Sequence, residues 1–268
     1  ALTEPNTGSD AMRMKCTARK EGKEWVLNGT KCWITHGISS DVLVAIVRTG
    51  ELLDSKGMTA FVIERGTPGL KAGKKENKLG MRASDTSEVV FQDCRVPSSH
   101  LLGDEGQGFI NTLQVLDAGR IGIAALSVGL AQGAYEAALR YSKERKQFGQ
   151  PIAAFQATQF KIAEMATQIE MARNSVYKSA WLLDQGDTRA ARDAIAMVKV
   201  QASETLGRVV DRAVQIFGGM GYCKDLPVER WYRDARIYRI FDGTSEIHRG
   251  VIAKSLARRG ASVFDVNR

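Results

Sequence analysis

Cysteine is scarce and unpatterned in this chain. Cys16, Cys32, Cys94 and Cys223 form no C-x-x-C pair and have no histidine at ligand spacing, which argues against a zinc site and against a disulfide framework. No metal is expected, and a reducing compartment fits this usage best. Also lacking is any run approaching the ~18 consecutive apolar residues that a membrane-crossing helix needs, and the first twenty residues are too polar for a secretory signal. No membrane partner is expected. Nor is this the composition of a disordered chain. Hydrophobic residues make up 44% and charged residues 25% of 268 positions, enough to bury a full core in one large domain or two ordinary ones.

Lys and Arg outnumber Asp and Glu by 38 to 30, a net charge of +8. Such a balance favours anionic partners: nucleic acid, phosphorylated small molecules or an acidic protein. The basic residues are scattered, however, and their densest group, Lys71, Lys74, Lys75 and Lys78, reads as a solvated face. No nucleic-acid partner is expected.

Two domains are expected, 1–100 and 101–268. In the first, short apolar segments are punctuated by turn residues. Met12, Met14, Cys16 and Ala18 alternate with polar neighbours, and the segments Trp25 to Leu27 and Thr30 to Ile34 flank Asn28-Gly29, a strong hairpin signal. Val42 to Val47, Thr59 to Ile63 and Glu88 to Phe91 add three strands, so an antiparallel, barrel-like β domain is predicted. Beyond Pro97 the period becomes helical. Leu113, Leu116, Arg120, Ile123, Leu126, Leu130, Ala134, Ala138 and Tyr141 lie three or four apart, a long helix with an arginine in its apolar stripe. An arginine there needs an anionic partner. Further helices are predicted from about Phe155 to Asp184, from Thr188 to Ile216, and after Gly243. Short connections imply an antiparallel four-helix bundle, and the fold class is α+β, multidomain.

Several loops could touch a ligand. Thr3-Glu4-Pro5 with Gly8-Ser9-Asp10 offers hydroxyls and free amides; read alone it is a turn. Trp33-Ile34-Thr35 presents an aromatic face and a hydroxyl at a strand end, where packing alone would also place a tryptophan. Phe217-Gly218-Gly219-Met220-Gly221 has more glycine than a helix cap requires. Asp242-Gly243-Thr244-Ser245-Glu246 puts a carboxylate at a helix entrance, where Asp242 or Thr244 could serve simply as an N-cap.

Taken together, these segments resemble the acyl-CoA dehydrogenase family over essentially the whole chain. The matching stretches are Thr3-Glu4-Pro5 with Gly8-Ser9-Asp10, Asn28 to Lys31 with Trp33-Ile34-Thr35, and Leu79-Gly80-Met81-Arg82. Later come Glu144-Arg145-Lys146 with Phe148-Gly149, Gln215 to Gly221, and Tyr232 to Ile247. Leu116 to Ala124 looks most like the short-chain, butyryl-CoA type. The resemblance implies a β domain followed by a helical bundle, with FAD lying between them and across a subunit contact in a homo-oligomer, a dimer of dimers. It implies removal of the pro-R α-proton of a short or branched acyl-CoA by a carboxylate while the β-hydrogen leaves as hydride to flavin N5. The product is a trans-2-enoyl-CoA, and electrons pass to an electron-transfer flavoprotein. A bacterial cytoplasm or a mitochondrial matrix is the implied location.

Carried over position by position, Leu2, Thr3, Ser9, Trp33 and Thr35 would contact FAD from one subunit. Arg145, Phe148, Gln215, Gly218 and Gly219 would reach it from the neighbour. Thr244 would bind it at the last helix, with Glu246 where a glutamine is common. Ser9, Asp117, Arg120 and Gly243 would line the acyl-CoA site, and Asp242 would be the catalytic base.

Two departures stand out. Asp242 replaces the family's usual glutamate and is shorter by one methylene, about 1.5 Å of reach. Some relatives carry the base on the long bundle helix, but the matching position here is Gly119. The chain also opens where the family would already have completed an N-terminal helical domain, so part of the protein is expected to lie outside this sequence. Three other readings stay open: an acyl-CoA oxidase, a DNA-associated relative, and an acyl-CoA-binding flavoprotein with altered catalysis.

Overall fold

The computed structural model describes residues 1–186 and 188–260, and the chain forms two compact units, Ala1–Val115 and Leu116 onward. Unit one is built on β1 (Thr17–Glu21), β2 (Glu24–Thr35), β3 (Val42–Arg48), β4 (Met58–Glu64), β5 (Leu70–Lys75) and β6 (Thr86–Pro97). They form one sheet in the order β4-β3-β1-β2-β6-β5. All neighbours are antiparallel except β1 and β3. The sheet is open rather than a closed barrel, with β4 and β5 as its edges. Its core gathers Leu27, Phe61, Val89, Phe91, Cys94 and Val96, with Trp25 edge-on to Phe61 at 5.4 Å between ring centroids.

Three sequence expectations are corrected here. Asn28-Gly29 is not a hairpin turn: both residues lie inside β2, where the register against β6 shifts between Leu27 and Gly29. Gly29 has φ +138°, and a Cβ there would stand 2.8 Å from the Cys16 backbone, so the glycine serves a bulge and a close approach. The true hairpin turns at Gly22-Lys23, between the paired Glu21 and Glu24. Secondly, the alternation of residues 12–18 is not one strand. Ala11–Arg13 is a single 3-10 turn, because the Lys15 and Cys16 amides donate to the Glu4 carboxylate and are unavailable to a ladder. Thirdly, β5 was hidden by its lysines, which line an exposed edge as charged residues on edge strands commonly do.

The helices are α1 (Gly108–Glu144), α2 (Gln156–Asp184), α3 (Thr188–Phe217), α4 (Gly219–Tyr222), α5 (Val228–Ala235) and α6 (Ser245–Arg259), with a two-residue hairpin of β7 (Lys146–Gln147) and β8 (Gln150–Pro151) after α1. Four of the helices match the sequence reading, while α4 and α5 were not foreseen. In the helical unit α3 is the hub against which α2, α5 and α6 pack. Its buried stripe runs through Ile195, Val198, Ala202, Leu206, Val209 and Ala213, at steps of three and four. One further expectation changes: α1 is long and apolar enough to cross a membrane by length and composition, with a window of mean hydropathy 1.4. Its Leu, Ile and Val residues are interrupted by Gln114, Asp117, Arg120 and several glycines, so no uninterrupted run advertises it.

Candidate active site

In the sheet unit, a buried ion pair organises the first loop. Lys31 Nζ lies 2.8 Å from Glu4 Oε1 and also donates to the Leu2 carbonyl at 3.0 Å. Glu4 accepts amides from Lys15 at 2.6 Å and Cys16 at 2.9 Å. Burial alone would raise the Glu4 carboxyl, but these amides and the ammonium hold it below its ordinary value. The Thr3 carbonyl accepts from Cys32 N at 2.9 Å, so Leu2 and Thr3 are fastened beside the end of β2. There the register shifts again between Lys31 and Ile34, and Trp33 adopts φ 60°, a left-handed conformation that costs a non-glycine residue energy. The result is a ring that is 60% exposed rather than packed. Thr35 pairs with Thr86 and is exposed. Ser9 is exposed too.

In the helical unit, the predicted residues fall into two groups. The ends of α1 and α3 meet through stacked rings, Tyr141 on Phe217 at 4.2 Å, which brings Arg145 and Phe148 to the same region as Gln215, Gly218 and Gly219. Phe148 sits in the β7-β8 turn with φ 51° and is 94% exposed. Gly218 has φ +60°, and a Cβ on Gly218 or Gly219 would meet nothing within 4 Å. Backbone is open to approach at that point.

The second group surrounds Asp242. Arg120, in α1, donates from Nη1 to Asp117 Oδ1 at 2.7 Å and from Nε to the Asp242 carbonyl at 2.9 Å. The arginine of the apolar stripe therefore has the acidic partner its burial required, and Arg192 stands 3.7 Å from the same carboxylate. Asp242 has φ 52°, a region that Asp tolerates better than most residues. Gly243 follows at φ +90°, where a Cβ would be strained and would lie 3.0 Å from His248 Nε2, so glycine is favoured. Thr244 is the N-cap of α6, its Oγ1 accepting from Ile247 N at 3.2 Å. Glu246 points to solvent, 81% exposed. Burial raises the Asp242 carboxyl above its ordinary value, and Lys199 and Arg120 partly offset this.

The two groups are well separated. Lys199 and Gln215 are 16 residues apart on α3, about 24 Å at 1.5 Å per residue.

Residues 1–94 match the family description "Acyl-CoA dehydrogenase, middle domain", and residues 106–257 match "Acyl-CoA dehydrogenase, C-terminal domain". The chain belongs to the acyl-CoA dehydrogenase family. It is 47% identical over 258 residues to the mitochondrial short-chain specific acyl-CoA dehydrogenase of Mus musculus, covering 96% of this chain and 62% of that protein. It is 48% identical over 261 residues to acryloyl-CoA reductase (NADH) of Anaerotignum propionicum, covering 97% and 66%. The structure of butyryl-CoA dehydrogenase from Megasphaera elsdenii is similar at a TM-score of 0.92 and 44% identity, covering 96% of this chain and 67% of that one. The chain thus spans 62% and 66% of the length of these two curated relatives.

Two polar residues of this family member, Lys199 and His248, escaped the sequence reading, and Lys31 was noted only within the Asn28 to Lys31 stretch, with no role of its own. Lys199 and His248 both converge on the Asp242 loop, and Lys31 anchors the first. Lys199 stood in plain view within Ala194-Ile195-Ala196-Met197-Val198-Lys199-Val200, a lone cation in an apolar helical stretch of the same kind that drew notice to Arg120. His248 is one of only three histidines and lies six positions after Asp242. Among the described residues no group of three His, Cys, Asp or Glu side chains is arranged to hold a metal.

Proposed function

We propose that the protein is a flavin-dependent oxidoreductase that converts a short or branched acyl-CoA thioester to the trans-2-enoyl-CoA, with Asp242 removing the pro-R α-proton. One observation supports this most: a half-buried carboxyl on a strained left-handed turn, its proton affinity raised by desolvation, as a base working near neutral pH requires. The residues present fit FAD. In the sheet unit the exposed ring of Trp33 and the hydroxyls of Thr3 and Thr35 offer a flat face and polar contacts, with Leu2 and Ser9 as further candidates; in the helical unit the capped start of α6 at Thr244 offers polar contacts of its own. Arg145, Phe148, Gln215 and the open backbone at Gly218 and Gly219 offer a second set. The roughly 24 Å between that set and the Asp242 group supports a reading in which it serves a neighbouring subunit's flavin, in a dimer of dimers.

When bound, FAD supplies the acceptor for the β-hydride. Asp242 holds its carboxyl toward the substrate's α-carbon and accepts the proton. Arg120, with Asp117, fixes the backbone beneath it, and Gly243 is a candidate contact for the thioester; Ser9, in the sheet unit, is a separate candidate for a substrate contact. Electron-transfer flavoprotein is the proposed acceptor, and a bacterial cytoplasm or mitochondrial matrix the proposed location.

The test is to mix FAD-loaded protein with a panel of saturated acyl-CoAs, without an acceptor, and follow the visible flavin absorbance. Short chains should bleach it, and Asp242→Asn should slow bleaching by at least ~10²-fold, the usual share of a general base. Equal bleaching by both proteins would remove Asp242 from the role of base. The similarity to acryloyl-CoA reductase favours a second reading, the same site run in reverse, with Asp242 returning the proton to the α-carbon. Faster reoxidation of the reduced protein by acryloyl-CoA than bleaching by propionyl-CoA would support it.

A further inference from the structure

Three consecutive carbonyls, those of Phe241, Asp242 and Gly243, all accept hydrogen bonds from side chains. Lys199 Nζ donates to the Phe241 carbonyl at 3.0 Å and to the Gly243 carbonyl at 2.7 Å. The carbonyl between them takes Arg120 Nε at 2.9 Å and His248 Nε2 at 3.2 Å. A carbonyl can only accept, so His248 must carry its proton on Nε2. The donors come from α1, α3 and α6, and together they hold a turn whose two central residues both have positive φ.

We propose that Lys199 is the positioning residue of the Asp242 loop: its ammonium bridges the carbonyls on either side of Asp242, locks the left-handed turn, and leaves an unneutralised cation beside the carboxyl.

Its surroundings separate Lys199 from the other charges there. Lys199 is fully buried, and no described carboxylate lies within ion-pair distance of it. Arg120 is already paired with Asp117. His248 is held neutral, its pKa lowered to about 4 by desolvation and by the charges of Arg120 and Lys199. Glu246, on the same helix as His248, is mostly solvated and weakly felt. Lys199 itself is lowered to about 8, chiefly by burial, so it remains charged at neutral pH. Of the groups facing Asp242, it is the cation whose removal changes the carboxyl's surroundings most, and it is also the one that spans the turn.

The geometry stands without the proposed reaction, but the catalytic consequence rests on Asp242 being the base. The test uses full-length protein in wild-type, Lys199→Met, Lys199→Arg and Asp242→Asn forms, with aspartate carboxyls labelled with carbon-13. The Asp242 resonance is the one lost in Asp242→Asn. In flavin-free protein, Lys199→Met should raise the titration midpoint of Asp242 by on the order of one pH unit or more, the effect of losing an adjacent opposite charge, and Lys199→Arg should leave it near wild type. In FAD-loaded protein, Lys199→Met should slow bleaching by butyryl-CoA on the order of 10²-fold through displacement of the carboxyl, with the pH profile moved upward. If Lys199→Met does not fold, Lys199→Gln keeps amide donors while removing the charge, and the same upward shift is required of it. A folded neutral variant with an unchanged Asp242 midpoint overturns the inference. If Asp242→Asn bleaches normally while the midpoint still moves, the base assignment fails and the role of Lys199 stands.

Discussion

The molecule buries two lysines completely, Lys31 in the sheet unit and Lys199 in the helical unit, and treats them in opposite ways. Lys31 meets a carboxylate, Glu4, which is itself capped by two amides; charge is neutralised where it stands, and the pair is a closed staple. Lys199 meets only carbonyl oxygens. Carbonyl dipoles solvate an ammonium but do not cancel its charge, so its field extends to whatever is nearest. The comparison teaches that a buried cation's partners decide its use. With a carboxylate it builds structure, and with carbonyls alone it can also influence a neighbour.

The largest effect that would test this contrast is on stability. Lys31→Met strands the Glu4 carboxylate, and removal of one partner from a buried pair costs about 3–5 kcal/mol, read by denaturant unfolding. Adding Glu4→Gln should recover much of the loss. The matching Lys199→Met change leaves only carbonyls without donors, about 1–3 kcal/mol. Equal losses at the two sites would break the distinction.

Next in size is a pH effect confined to the helical unit. His248 has a folded pKa depressed to about 4 from 6.5, so the unfolded chain takes up a proton first as pH falls. Stability should therefore decline from about pH 6.5 downward, by roughly 3 kcal/mol once pH passes 4. Glu4 acts at lower pH: its folded pKa lies below 4.5, and its contribution is lost only as pH falls through that depressed value. Thermal unfolding from pH 8 to 4 should show the earlier decline, and His248→Gln should flatten it. The smallest effect sharpens the role of the loop's exit. Thr244→Ala removes the side-chain N-cap of α6 and should cost about 1 kcal/mol, visible as a modest fall in Tm.

Sequence carried much of this organisation. Short apolar segments between turn residues marked β2, β3, β4 and β6, and the three- and four-residue spacing from Leu113 to Tyr141 marked α1 with Arg120 inside it. Apart from β5, whose exposed lysines mask it, the main misses depend on partners drawn from elsewhere in the chain. Asn28-Gly29 has the local chemistry of a turn, yet Asn28 hydrogen bonds with Asp93 across the sheet and the glycine makes room for Cys16. The cage around Asp242 draws on positions 120, 199 and 248, and no local pattern links them. Of the two caps the sequence offers, Asp242 or Thr244, it is Thr244 that caps α6. Family resemblance locates the loop, but the means by which it is held lies in the tertiary structure, where α1, α3 and α6 meet its carbonyls.

The frame around residues 241–243 grips main-chain oxygens, not side chains. A scaffold of that kind is indifferent to what the middle residue carries, so an aspartate can stand at 242 without any supporting residue having to change. Evolution can then alter the length or acidity of the reactive arm in a single step, while the ground it stands on is inherited intact.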